Sequence, residues 1–311
     1  MSTTVETPSK VAPAKPGRRR LDRRRQHLWA VAFLAPAILS LLVLRVLPTV
    51  DAVVASAYKA FPGGLVPATF TGLGNYQELF GNPAFLETLR RTLIFNLVIN
   101  PLQIGLALLI AVILVQRVRL AGLWQTLIFV PVTIPIVGSC IAWSAALQPE
   151  GPVNALLGAL GGSPQPFFNS PTQAFWSIIL VASWIGIGYW MLFLIAGLRN
   201  VPTELYEAAR IDRAGPLKTF FLITLPLIKR PILFVLVADT VANFVLFVPV
   251  QLLTKGGPES STTFLMFDAY RVTFGYGSRN LGAAEVVILT AIMLFFVMLQ
   301  FRLLREDKDR G

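Results

Sequence analysis

Residues 173–198 read QAFWSIILVASWIGIGYWMLFLIAGL, twenty-six residues without one charged side chain. As a helix rising about 1.5 Å per residue, this run covers about 39 Å, more than the ~30 Å hydrocarbon core of a bilayer. Moving outward in both directions, five more stretches reach spanning length: 28–48, 89–115, 123–147, 231–253 and 282–303. Each holds few charges, and the segments between them hold most of the rest. The whole-chain figures agree. Of 311 residues, 55% are hydrophobic and 14% charged, where soluble domains carry about 25% charged. Mean hydropathy is +0.66. The pattern predicts an all-α membrane protein with six transmembrane helices and excludes an ordinary soluble enzyme. A single cysteine (Cys140) and a single histidine (His27) exclude a disulfide scaffold and a Cys-built metal site, and no metal ligand set is expected.

Six spans put both termini on one side, and Lys/Arg placement predicts which. Segments 1–27, 116–122, 199–230 and 304–311 carry eight, two, six and three basic residues, nineteen of the twenty-seven. The alternate segments 49–88, 148–172 and 254–281 carry Lys59, Lys255, Arg271 and Arg279. Arg45, Arg90, Arg91 and Arg302 lie near span ends, within snorkelling reach of an interface. Both termini are therefore expected in the cytoplasm. The tail 1–27 contributes +6 of the +11 net charge and reads as a disordered tail against anionic membrane lipid rather than a nucleic-acid arm. Ala55-Ser56-Ala57 has the look of a signal-peptidase site, but the apolar run before it is too long and Arg45 and Asp51 interrupt it, so span one reads as retained. The rest, residues 28–311, reads as one six-span domain. Its loops are turn-rich, as at Phe61-Pro62-Gly63-Gly64 and Gly161-Gly162-Ser163-Pro164.

Segment 199–230 is far longer than a connector requires. Pro202-Thr203 starts a helix: Thr203 is placed to cap it, and Glu204 and Glu207 meet the positive end of its dipole. Leu205, Ala208 and Ala209 follow at helical spacing, with Ala208 and Ala209 forming a small-residue face. Gly215-Pro216 is expected to end the helix, glycine taking the left-handed cap. A second short helix from about Leu217 carries Phe220, Phe221 and Ile223 up to Leu225-Pro226. A helical elbow exposing small and apolar residues suits a docking site for a partner protein.

Glu207-Ala208-Ala209, then Asp212, Ala214, Phe220, Ile223 and Leu225-Pro226 resemble the EAA loop of binding-protein-dependent ABC importer permeases. Where that pattern has glycine directly after the aspartate, this chain has Arg213, and the nearest glycine is Gly215. Phe70 to Tyr76, Leu253 to Pro258 with Ser261 to Thr263 and Tyr270-Arg271, and Gly282-Ala283-Ala284 resemble segments of the sugar and glycerol-phosphate permeases in the right order. Val248 stands near where many relatives carry an acidic residue, next to Pro249. The resemblance implies a type I ABC importer permease of the bacterial inner membrane. It further implies a second homologous permease subunit, a cytoplasmic ATPase dimer holding ATP and Mg, and an extracytoplasmic substrate-binding protein. Glu207, Ala208, Ala209, Asp212, Gly215 and Pro226 would then belong to the ATPase-coupling loop.

Within the spans, ionisable and amide side chains need a reason, because hydrocarbon offers them no partner. Asp239 and Asn243 share a face of span five; they either line the translocation path or bind a neighbouring helix. Glu285, near the end of span six, reads as structural. Asn96, Asn100 and Gln103 form one stripe on span two, suited to interhelical hydrogen bonds or to a polyol path. Trp143, Trp184, Tyr189 and Trp190 read as interfacial anchors or sugar-stacking platforms. No Gly-Lys pair, H-E-x-x-H or G-x-S-x-G element occurs, so no P-loop and no catalytic set is expected and no cofactor is assigned to this chain. The expected function is import of a carbohydrate. Alternatives are the same machinery importing glycerol phosphate or a glycerophosphodiester, and an ion-coupled secondary transporter using Asp239.

Overall fold

The computed structural model describes residues 18–60, 67–116 and 118–304. The Phe61-to-Gly64 turn and residues 1–17 of the basic tail lie outside the described residues. The first helix begins within the tail, at Arg18. Leu21 and the arginines are good helix formers, and they continue directly into the apolar run.

Of the described residues, those up to Asp51 form a unit of their own. Helix α1 (Arg18–Leu41) passes through a π-helical turn at Leu42–Val46, which holds Arg45, into α2 (Leu47–Ser56). The large apolar side chains of this helix, among them Phe33 and Leu44, are exposed on every side. The second unit, from Ala52, begins with a short hairpin of β1 (Tyr58–Lys59) and β2 (Thr69–Phe70), paired Tyr58 with Phe70. Next comes α3 (Gly74–Phe80). Asn75 and Tyr76, part of the permease-like Phe70-to-Tyr76 segment, have a structural task here. Buried Asn75 donates to the Ser56 and Tyr58 carbonyls at 2.7 and 2.8 Å, and Tyr76 bonds Ser56 Oγ.

The straight helices of the second unit are α4 (Pro83–Val115), α8 (Pro171–Arg199) and α14 (Arg279–Leu304), long and apolar enough to cross a membrane. The third predicted span is broken: α5 (Ala121–Thr133) and α6 (Ile136–Ala146) meet at 97°. Pro135 explains the break, because it bars the helical conformation at Ile134, which is extended. A short α7 (Pro152–Ala159) precedes α8. The fifth predicted span, 231–253, is also interrupted. α12 (Lys229–Phe244) stops before Val245, and the chain resumes as a π-helical turn over Val250–Thr254. Pro249 lacks the N–H that would have bonded the carbonyl one turn earlier. α13 (Leu265–Tyr270) then leads to α14. Among the described residues, four helices are long and apolar enough to cross a membrane, or up to six spans if each bent pair is one; the second such pair joins Pro216–Leu227 to α12.

The core lies between α4 and α8. Ile104, Ala107, Ala111 and Leu114 pack on Trp190, Met191, Leu194, Ile195 and Leu198, with Val235 of α12 closing one side. Lipid is as apolar as leucine, so close packing rather than water exclusion drives such contacts, and small residues permit it. Gly188 illustrates this: a Cβ there would sit 2.3 Å from the Ile128 carbonyl oxygen of α5.

Candidate functional site: an exposed elbow and a buried polar cluster

Between α8 and α12 the chain forms α9 (Thr203–Ile211), α10 (Pro216–Thr219), a π-helical turn at Phe220–Thr224 and α11 (Leu225–Leu227). The α10–α11 arm meets α12 at 72°. The elbow is present, with three local differences from expectation. Thr203 is the first helical residue and caps nothing; Pro202 holds the N-cap position without a side-chain bond. Of the two acids expected in the first turn, only Glu204 sits there, and Glu207 lies beyond it. The left-handed residue is Arg213 (φ 53°), not Gly215, whose backbone is extended (φ −67°, ψ 164°). Ala214 N–H reaches back to the Ala209 carbonyl at 2.9 Å and Arg213 N–H to that of Arg210 at 3.1 Å, which is the reversed bonding of a left-handed helix cap. The bend therefore falls where the EAA pattern has glycine, although an arginine occupies it.

Glu207, Ala208, Asp212 and Gly215 are exposed, Pro226 is half-buried and Ala209 is buried. Ile211, Leu217, Phe221 and Leu222 are exposed at 82%, 73%, 58% and 65%. Such apolar exposure beside charged residues is unusual for a finished surface. Tyr206 fastens the elbow inside, bonding Thr224 Oγ1 at 3.2 Å and packing on the α4–α8 core.

Within the bundle, Asp239, Asn243 and Asn100 come together. Trp190 Nε1–H donates to Asp239 Oδ1 at 2.6 Å. The Asn243 amide donates to Asn100 Oδ1 at 2.7 Å, Asp239 Oδ1 at 3.1 Å and Gln103 Oε1 at 3.3 Å, and Gln103 donates to Ser183 Oγ. All are buried within one subunit, so none lines an open surface. Asp239 Oδ2 has no partner among the described residues. Asn96, on the same stripe of α4, instead donates to the Thr92 carbonyl one turn back. Trp190 was readable only as an anchor or a stacking platform. Its buried indole N–H is taken by Asp239, whereas Trp143 and Trp184 pair edge to face at 5.5 Å.

Of the charged candidates, Arg90 and Arg91 both pair with Glu87, and Arg91 also donates to the Ser260 carbonyl. Glu285 is buried with Oε2 unpaired, and Cys140 is buried and free. Among the described residues no cluster of three or more metal-ligating side chains occurs.

Residues 103–308, which include the elbow and most of this cluster, match the family described as binding-protein-dependent transport system inner membrane component. The chain belongs to this family. It is a multi-pass permease of the bacterial inner membrane. The permease is 34% identical over 285 residues to the lactose transport system permease protein LacF of Rhizobium radiobacter, covering 89% of this chain and 94% of that one. It is 32% identical over 269 residues to the sn-glycerol-3-phosphate transport system permease protein UgpA of Pectobacterium atrosepticum, covering 86% and 90%. Its fold is similar to a chain of a bacterial alginate ABC transporter solved with an alginate pentasaccharide-bound periplasmic protein. That match has a TM-score of 0.80 at 21% identity and covers 93% of this permease and 98% of that chain.

Proposed function

We propose that this permease imports a carbohydrate, and that its elbow receives the force of a separate cytoplasmic ATPase. The observation that carries the reading is the exposed apolar surface of the elbow, presented by residues matching the EAA pattern, in a chain of the binding-protein-dependent family. The ATPase dimer holds ATP and Mg, a homologous second permease completes the channel, and an extracytoplasmic binding protein delivers substrate. The Lys/Arg bias, nineteen against four, supports a cytoplasmic elbow and cytoplasmic termini. Ile211, Leu217 and Phe221 fill the partner's cleft, Glu207 and Asp212 set its register, and ATP-driven closure then swings the elbow. Hydrolysis is left to the partner.

The lactose relative supports a neutral sugar. A glycerol phosphate substrate, which the UgpA relative favours, calls for cationic charge on the path. Arg90 and Arg91 are its nearest source, and Glu87 already offsets part of their charge. Binding of labelled lactose against glycerol 3-phosphate to the soluble receptor separates the two.

Affinity purification of this chain should retain the ATPase, and Glu207→Lys should lower that retention about tenfold, a charge reversal within a desolvated contact. Undiminished ATPase recovery with the reversed charge would sink the elbow assignment.

A further inference from the structure

The elbow is the chain between α8 and α12, so any force on it enters the bundle through those two stems. Besides apolar packing such as Phe193 on Phe234, two contacts fix the stems at different levels. Nearest the elbow, Gly197 meets Pro231 so closely that a Cβ at Gly197 would lie 2.7 Å from Cβ and Cγ of the proline. Seven residues deeper, about 10 Å along α8, the Trp190 indole donates to Asp239. From Asp239 the bonds continue through Asn243 to Asn100 and Gln103 of α4, and Gln103 returns to Ser183 of α8. Gly186 allows this return, since a Cβ there would press on the Gln103 amide at 2.9–3.0 Å.

Parting the stems at this level leaves a buried indole N–H without its acceptor and Asp239 Oδ1 with only the Asn243 donor of its own helix. Apolar side chains would hold two helices together without such a penalty, and Asp239 keeps Oδ2 unpaired even in the assembled bundle. A polar tie retained at a cost points to geometry rather than cohesion. Two stems free to scissor would dissipate the elbow's displacement inside the subunit. Two stems tied at Trp190 and Asp239, and through Asn243 to α4, must move together.

We propose that Trp190 and Asp239 are positioning residues that lock α8 and α12 into one rigid stem, passing the elbow's motion undivided to the spans. The proposal rests on the reading of the elbow as the ATPase contact. It is tested on the full complex with spin labels at Leu180 of α8 and Ala242 of α12, two exposed positions outside the cluster. Distances are read before and after trapping with ATP, Mg and vanadate.

The intact chain should show the same label separation in both states. In Trp190→Phe, which keeps the ring and removes the donor, trapping should shift it by about 2 Å or more, the scale of helix sliding. Gly197→Ala, which forces the stems apart at the other level, should act in the same direction. The proposal is overturned if the intact stems already scissor on trapping, or if an assembled Trp190→Phe complex keeps the intact separation, whatever its thermal stability. Should Trp190→Phe fail to assemble, Gly197→Ala decides by the same measurement, and failure of both overturns the proposal by making the contacts merely structural. Loss of the ATPase from the unaltered chain is a different result and refutes the elbow reading instead.

Discussion

The elbow and the buried cluster are neighbours in the chain and opposites in construction. Among the described residues, the elbow's two arms share one side-chain bond, between Tyr206 and Thr224, and the elbow exposes Ile211 and Leu217 almost fully. The cluster joins three helices by side chains 49 to 143 residues apart and hides all of them. A part meant to meet a partner keeps its polar and apolar groups outward and its internal ties few. A part meant to hold shape in hydrocarbon satisfies its polar groups internally, because nothing outside can.

The contrast is broken most directly at Asn243. Asn243→Leu removes a donor, leaves the buried Asn100 and Gln103 oxygens without it, and leaves Asp239 Oδ1 with the Trp190 N–H alone. Individual hydrogen bonds inside membranes average only about 0.6 kcal/mol, but orphaned buried groups add their desolvation. The expected cost is about 2 kcal/mol, read as a lowered thermal midpoint of the detergent-solubilised complex. An unchanged midpoint would mean that α4, α8 and α12 are held by packing alone.

The two regions also differed in how far they could be read from residues alone. The elbow is local: two short helices, a proline at each arm and a run of periodic side chains lie within thirty-two residues, so its outline was legible. What failed there was the choice of left-handed residue. Glycine preference favoured Gly215, but the backbone turns at the first residue past the α9 cap, which is Arg213. In the cluster, spacing placed Asn100 and Gln103 on one stripe and Asp239 and Asn243 on another. Their meeting, and the role of Trp190, depend on how α4, α8 and α12 pack against one another, which no local periodicity encodes. The broken third and fifth spans were written in Pro135 and Pro249, whose effect hydropathy averages conceal.

Arg213 gives a sharper, smaller test in the opposite direction. A non-glycine residue in the left-handed region is strained by about 1 kcal/mol, and Arg213→Gly relieves that strain while leaving the bend in place. The Ala214 amide, bonded to the Ala209 carbonyl, should then exchange with deuterium about fivefold more slowly. Slower exchange confined to residues 209–214 would identify the elbow as an independently opening unit. Slowing that spread to α8 and α12 would instead make elbow and stems one cooperative block.

The smallest effect is expected at Tyr206. Tyr206→Phe keeps the ring in place against the core and deletes only the 3.2 Å bond to Thr224, a half-buried contact contributing about 0.5 kcal/mol. The thermal midpoint of the whole complex should hardly move, while exchange at the α9 and α11 amides rises about twofold. The asymmetry matters more than either number. If Tyr206→Phe lowered the midpoint as far as Asn243→Leu, the elbow would be part of the rigid block and could not swing without unfolding it. If it loosens the two arms alone, the force-receiving part is only lightly tied within itself, and rigidity begins where the stems enter the polar cluster.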